Sequence, residues 1–434
     1  MFVRLIEPLR ERDFALFAGG TLVSLLGDGI YLVALPFAVL GLGGGAGALA
    51  LVGLAWSLGM VGFLLAGGLL ADRYDKRRQL LAADAVRLAA VGTAGALSLG
   101  GSLEVWHLAA LSFIFGAGEG LSGPAMSALI PELVPVDRLV QANALQQSLR
   151  PVALRFVGPA LGGAMVALVD VGGALLVDAG TFAVSIGCLL AMRARVPVRD
   201  EGVVDEPLWR QVREAAVFVR GQVWLWATLL MAALALLVFL GPSEVLLPLR
   251  LNHDLGGTAG QFGVVLAAEG VGSVGATMAV GHFGMPRREV TVLYWLWGIA
   301  GFALCGYALA TEVWQLVLFS FAFGVFGGAG NPIWATMMQV RVPPGLLGRV
   351  SALDWLMSTG LTPVSFALTG PLAAVFGASA VLLWAGLLAG GVTLAMLYVV
   401  PGLRAEDGGV ARAEAARAAS GSVSSEPGVS TAAA

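Results

Sequence analysis

Residues 47–78 read GALALVGLAWSLGMVGFLLAGGLLADRYDKRR. The first twenty-five positions are free of charge, and then Asp72, Arg73, Asp75, Lys76, Arg77 and Arg78 crowd into seven. A helix of about 20 mostly apolar residues crosses the ~30 Å hydrocarbon core of a bilayer. The run is long and lacks period-two alternation, so it reads as a helix, and the charged turn after it as the polar margin. Working outward with the same rule gives spans at 14–40, 47–71, 80–100, 105–129, 144–169, 172–193, 223–249, 259–283, 290–310, 313–338, 350–376 and 379–400. The expected fold class is an all-α membrane protein with twelve transmembrane helices in two pseudo-symmetric six-helix bundles.

Composition agrees. The 434 residues are 58% hydrophobic and 12% charged, against about 45–50% and about 25% in ordinary soluble domains. A water-soluble chain of this size needs a charged surface, whereas a lipid-facing one does not. Cys188 and Cys305 fall in apolar runs and imply no disulfide framework. Arg4, Glu7, Arg10, Glu11, Arg12 and Asp13 precede an apolar run too long for a signal core, so no cleaved signal peptide is expected.

Basic residues are distributed asymmetrically. With a cytoplasmic N-terminus, every one of the 25 except Arg87, Arg150, Arg155 and Arg250 falls on the cytoplasmic side or at its margin. The positive-inside rule then places both termini in the cytoplasm. A multi-pass protein of the bacterial plasma (inner) membrane is expected. The long polar connection divides the chain into an N-terminal bundle (1–193), a cytoplasmic linker (194–222), a C-terminal bundle (223–402) and a disordered tail (403–434). Within the linker, 207–220 reads as an amphipathic helix, with Leu208, Val212, Ala215 and Val219 on one face and Arg210, Arg213 and Glu214 on another.

The halves repeat. Shifted by 208 residues, Ser112, Phe113, Phe115, Gly116, Gly120, Pro124, Val134, Pro135, Leu139, Ala144 and Leu145 recur as Ser320, Phe321, Phe323, Gly324, Gly328, Pro332, Val342, Pro343, Leu347, Ala352 and Leu353. A four-residue insertion then aligns Gly158-Pro159 with Gly370-Pro371. Two parallel six-helix halves are the repeat of a transporter whose substrate site lies between them.

The loop between spans 2 and 3, Gly68-Leu-Leu-Ala-Asp72-Arg73-Tyr-Asp75-Lys76-Arg77, resembles the Gly-x-x-x-Asp-Arg-x-Gly-Arg-Arg signature of the major facilitator superfamily, with Asp75 in place of the second glycine. Physically, Gly68 would let span 2 approach a neighbour, Asp72 would cap a facing helix, and Arg73 and Arg77 would pair with acidic groups. The resemblance implies that this loop latches the cytoplasmic side shut against the start of span 11, where Asp354 also lies. Gly158-Pro159-Ala-Leu-Gly162-Gly163 resembles an antiporter element and reads equally well as a tight helix-packing kink. Pro131–Leu139, Asn143-Ala144, Asp178-Ala-Gly-Thr181-Phe182 and Gly348-Arg349-Val-Ser351-Ala352 resemble the branch of drug/proton antiporters holding macrolide-efflux proteins and the enterobactin exporter, which implies export.

Ionisable groups in hydrocarbon are costly and ask for a partner or a function. Thr21, Ser24, Asp28 and Tyr31 form one polar stripe on span 1, and the resemblance implies a cavity lined by spans 1, 4, 7 and 10. Asp28 is the first candidate for proton contact, beside the alternative of a structural carboxylate. Glu119 on span 4 and Arg155 on span 5 lie at similar depth; Asp28–Arg155 and Glu119–Arg155 pairings both stay open. Arg150 lies near the margin, and Asp84 and Arg87 read as a structural pair. Glu269 is the best acid of the second half. Glu244 is placed nearer the cavity mouth, and Asn331-Pro332 would soften span 10.

No phosphate-cradling loop occurs, the only lysine is Lys76, and the three histidines are scattered. No metal site, catalytic set or cofactor is expected, nor any enzymatic activity. The expected function is secondary active, proton-coupled export of an amphipathic small molecule by alternating access. Uptake, lipid flipping and non-transporting sensing are the alternatives. The expected partners are a small-molecule substrate, protons and the lipid bilayer, without nucleic acid, and the chain is expected to act as a monomer.

Overall fold

The computed structural model describes residues 7–135, 138–193, 208–413 and 415, without the side chains at 65, 69, 71–73, 140, 144, 208, 209, 211, 212 and 344. Among the described residues every regular element is helical: α1 (Arg12–Gly41), α2 (Ala46–Arg73), α3 (Lys76–Leu99), α4 (Val105–Leu133), α5 (Leu139–Arg150), α6 (Gly158–Ala191), α7 (Leu208–Gly221), α8 (Val223–His253), α9 (Ala259–Phe283), α10 (Glu289–Leu309), α11 (Val313–Arg341), α12 (Pro344–Thr359), α13 (Thr362–Phe376) and α14 (Ala378–Val399). Pro151–Val157 forms a π-helical turn between α5 and α6. Pro151 lacks an N–H, so the α-helical ladder loses a donor where the wider turn begins.

Among the described residues, ten helical stretches are long and apolar enough to cross a membrane. One of them, Gln141–Ala191, has 51 residues, roughly 75 Å at 1.5 Å per residue. It breaks at Val169 and Asp170, where φ turns to −129° and then +59°. A positive φ is uncommon outside glycine, and Asp is among the side chains that adopt it most readily.

Helices α1–α6 pack on one another, chiefly α1 with α6, α2 with α4 and α3 with α6; α8–α14 do likewise, chiefly α9 with α11 and α10 with α14. Glycines repeated in sequence do the same work twice. Gly116 and Gly120 lay α4 against the Trp56 and Met60 carbonyls of α2; Gly324 and Gly328 lay α11 against the Glu269 carbonyl and Ser273 of α9. A β-carbon at any of the four would collide with the neighbouring helix. Small residues that let backbones approach are the usual route to tight helix packing in lipid.

The first six helices meet the rest along two seams. In one, α6 crosses α9, with Gly163 on Ala259 and Gly260, and Gly263 against Pro159. In the other, α2 crosses α13, with Gly370 on Gly47 and Ala50. Phe37 and Phe262 meet at 5.9 Å with their rings tilted by 44° near the first seam. Gly158-Pro159 and Gly370-Pro371, aligned in the repeat, thus sit at the two seams. Both seams close the end away from the basic loops.

The basic ends are bound differently from the sequence expectation. Gly68 has open space around it, and its neighbour Gly67 makes the close approach, against the Gly120 carbonyl. Asp75 caps α3 by accepting from the Arg77 and Arg78 amides at 2.9 and 3.4 Å. Its φ of −61° needs no glycine, which is why Asp can stand there. Lys76 pairs with Glu132 at 2.7 Å. The Arg77 guanidinium donates to the Leu189 and Leu190 carbonyls, closing the C-terminal end of α6. The loop therefore ties α3 to α4 and α6, and the expected latch to the segment containing Asp354 is not made by these residues. The side chains of Asp72 and Arg73 lie outside the described ones.

Helix α7 buries Ala215 and Val219 with Trp224, Val290 and Leu293, and its Glu214 pairs with Arg349. Residues 403–413, expected to belong to a disordered tail, are packed against the helices, and the rest of that expected tail, apart from 415, lies outside the described residues. Leu403 is fully buried, Arg341 pairs with Glu406 and covers the Trp224 ring, and Asp407 accepts from the Thr291 amide and hydroxyl. Glu289, 1% exposed, accepts from the Gly408 and Val410 amides at 2.8 and 3.0 Å. A carboxylate at the N-terminal end of α10 also suits the helix dipole. Glu289→Ala removes two charge-assisted hydrogen bonds, about 2–3 kcal/mol of local stability. Amides 403–413 should then exchange hydrogen at least tenfold faster, with the apolar helices unaffected.

Candidate functional site

A cavity of about 1330 Å³ opens among the helices. Its wall runs from Phe17, Leu80, Ile130 and Arg349 at the basic end to Pro36, Leu49, Val52 and Phe366 beneath the seams. It is therefore open at the basic face and sealed at the other. The predicted stripe Thr21, Ser24, Asp28 and Tyr31 lines it along α1, at the three-and-four spacing that keeps side chains on one helix face. Glu119, Arg155 and Glu244 also line it.

Three charged groupings cross this space. In the first, Arg87 reaches from α3 to Asp28 at 2.5 Å. Its guanidinium lies between the rings of Phe115 and Phe182, at 4.6 and 4.3 Å, a cation–π arrangement that replaces lost hydration. The expected Asp84–Arg87 pair is thus superseded: Asp84 instead accepts from the Ser185 hydroxyl at 2.7 Å. Tyr31 stacks on Phe115 at 4.5 Å and shares a hydrogen bond with Ser112.

In the second, Glu119 accepts from Trp56 Nε1 at 3.0 Å and lies 3.8 Å from Arg150. In the third, Arg155 lies 3.5 Å from Glu269 and 3.8 Å from Glu244. Neither pairing open in the sequence, Asp28–Arg155 or Glu119–Arg155, forms. The reason is the π turn: Gly270 lets α9 lie against the backbone of Arg155 and Phe156, so Arg155 faces the acids of α8 and α9. Arg155 thereby becomes an ionic link between the two sets of helices. Glu269 stands behind Arg155, its side chain 15% exposed.

Other expectations move. Asn331 is exposed, and α11 supplies no residue to the cavity wall among the described ones; α2, α3, α6, α12 and α13 supply several instead. Pro332 stands inside the continuous helix α11. Asp354 accepts from Trp334 Nε1 at 3.2 Å, within the α11–α12 contact. Gly158 and Gly162 seat α6 on Gly29 and Ile30 of α1, and Gly163 meets α9. The glycine-proline element is thus a packing site at the crossing of three helices. Sequence reasoning missed Trp56 as the anchor of Glu119; an indole on an otherwise apolar span was the available signal.

Chemically, the cavity is a mostly apolar chamber with aromatic walls and a few fixed ion pairs. Such a chamber suits an amphipathic molecule held by shape and a small number of polar contacts. Arg155→Gln leaves Glu269 without its cation. The expected loss is about 2 kcal/mol, below the ~3–5 of a fully buried pair because Arg155 is 40% exposed. Thermal unfolding in detergent should show this loss halved or better when Glu269→Gln is added; simple additivity of the two changes would contradict the pairing.

Residues 4–419 match the family described as transmembrane secretion effector. The chain is 25% identical over 320 residues to macrolide efflux protein A of Enterococcus faecalis, covering 71% of this chain and 97% of that protein. It is 27% identical over 372 residues to the multidrug efflux pump Tap of Mycolicibacterium fortuitum, covering 82% and 88%. The fold is shared with a crystal structure of a POT family transporter in complex with 5-aminolevulinic acid, at TM-score 0.69 and 13% identity over 91% of this chain and 96% of that one. The glycine-packed repeat, the chamber between its halves and the match along nearly the whole length have one reading: this chain is a transporter of the major facilitator superfamily and belongs to its transmembrane secretion effector family.

Proposed function

We propose that the protein exports an amphipathic small molecule from the bacterial cytoplasm across the plasma membrane, by alternating access and in exchange for protons. The single observation that carries this reading is the chamber of about 1330 Å³, open at the basic face, closed by two glycine seams at the other and crossed by ion pairs, of which Asp28–Arg87 is largely buried. A route through hydrocarbon that keeps costly charge in its wall implies use of that charge.

In this reading the chain crosses the bilayer twelve times. The 51-residue stretch broken at Asp170 supplies two crossings, and Val105–Leu133 adds one to the ten long apolar helices. Residues 1–193 and 223–402 form the two six-helix bundles, joined by 194–222, with both termini cytoplasmic. The basic face is then the cytoplasmic one by the positive-inside rule. The conformation is the one that loads cargo from inside. Parting of the seams, with closure around Arg349 and Leu80, releases cargo outside. The Arg155–Glu269–Glu244 link crosses between bundles, so it is remade as they rock. The protein works as a monomer. Relatives that are macrolide and multidrug efflux pumps support an export direction and a bulky cargo.

The test is transport of ethidium and of erythromycin in cells and in proteoliposomes with an imposed pH gradient. Wild type should extrude at least one of them, and collapse of the gradient should stop it. Asp28→Asn, Glu119→Gln and Glu269→Gln are each expected to lower gradient-driven transport tenfold or more in at least one case. Full coupling in all three variants would remove these carboxylates from the mechanism; extrusion that persists without a gradient would remove proton exchange.

A further inference from the structure

In the motif Asp178-Ala-Gly-Thr181-Phe182, Phe182 supplies one of the two ring faces that hold Arg87. Asp178 itself is fully buried in α6, yet it lies directly behind the cavity wall. Its carboxylate stands against α1 at Gly27, immediately before Asp28, where a β-carbon would strike both Asp178 and Thr181. It is within electrostatic reach of Asp28 and Arg87.

The charges in this region do not balance. Asp28, Asp84 and Asp178 face the single guanidinium of Arg87, and Asp84 and Arg87 are 6% and 5% exposed. Tyr31 on α1 and Glu119 on α4 border the group, and neither adds a cation. Arg150 is the next positive side chain, beyond Glu119. Buried ionised carboxylates need donors for their oxygens. Asp28 has Arg87 at 2.5 Å, and Asp84 has the Ser185 hydroxyl at 2.7 Å. Asp178 has only the Thr181 hydroxyl, whose single hydrogen serves two acceptors, the Asp178 backbone carbonyl at 2.7 Å and Oδ1 at 3.3 Å, and the nearer acceptor takes the larger share. Oδ2 is buried without a partner, and so is Arg87 Nε.

We infer that Asp178 is a proton-binding site, its carboxyl neutral in this conformation, and that Asp28 and Asp178 share one proton and one guanidinium. Asp28 faces the cavity and Asp178 does not. When Arg87 holds Asp28, the proton resides on Asp178. When the guanidinium turns its free Nε–H toward Asp178, the Asp178 O–H bond breaks as an O–H bond forms on Asp28, and Asp28 then gives that proton to water in the cavity it lines. Arg87 is held by two aromatic faces and one carboxylate, so the turn exchanges one ionic partner for another. This rests on the proton-coupled reading above and identifies where the proton waits.

Infrared difference spectroscopy of the purified full chain, across a pH titration, reads the site without any cargo. Wild type should show the C=O stretching band of a protonated carboxylic acid that lacks a strong hydrogen bond. Asp178→Asn, close in shape, should lose it. Asp28→Asn should lose it as well, because Asp178 then takes the guanidinium and ionises. A band absent from wild type, unchanged in Asp178→Asn, or lost only in Asp28→Asn would overturn the assignment. In proteoliposomes, Asp178→Asn should still exchange ethidium down its own gradient but lose accumulation driven by a pH gradient tenfold or more. Undiminished gradient-driven accumulation in this variant overturns the site while leaving proton exchange intact. A wild type indifferent to the gradient sinks the coupled reading, and the infrared band then decides the proton site alone.

Discussion

A charge inside an apolar membrane protein must be answered where it stands, and most of the functional architecture follows from that rule. Transfer of an unpaired ion from water to a medium of low dielectric costs several kcal/mol even after relaxation. Arg87 meets the rule with Asp28 and two aromatic rings. Arg155 meets it with Glu269 and Glu244, and Glu119 with Trp56 and Arg150. Each answer comes from a different helix, so each ion pair fixes the relation of two or three helices at cavity depth. Between the π turn that carries Arg155 and the acids of α8 and α9, the same pairing links the two halves of the chain.

The second constraint is backbone proximity. Lipid gives helices no hydrophobic reason to associate, so association rests on close contact. Gly116, Gly120, Gly324 and Gly328 bring α2 to α4 and α9 to α11 by the same means in both halves. Gly163 and Gly370 bring the halves together at one end only. The result is a chamber closed at one face by packing and bounded at the other by charged loops. The C-terminal segment through residue 413 adds to this base by capping α10 with Asp407 and by donating its Gly408 and Val410 amides to the Glu289 carboxylate. It buries Leu403 beside Trp224, so the end of the transport domain is stabilised by residues of low hydrophobicity whose pattern alone suggests no structure.

Read along the chain, the family was legible through the resemblance of Gly68–Arg77 to a known signature, while the long uncharged runs were sufficient for an all-helical membrane class, because they depend only on composition and spacing. The cavity stripe on α1 was legible for the same reason: Thr21, Ser24, Asp28 and Tyr31 fall on one helix face whatever surrounds them. Gly158-Pro159 and Gly370-Pro371 were visible as a repeated element, though not as the place where the halves cross.

What the sequence by itself determined is therefore what a single helix determines: its length and its polar face. Which acid answers which arginine was decided only in the tertiary structure. Arg155 turns to Glu269 and Glu244 because a π turn follows Pro151 and because Gly270 admits its backbone. Arg87 passes over its own-helix neighbour Asp84 for Asp28 on another helix. Asp178, one residue among many in an apolar span, gains chemistry only when the fold places it behind Asp28. Pairing across helices depends on rotation and depth to within a few ångströms, and spacing along one chain carries no such information.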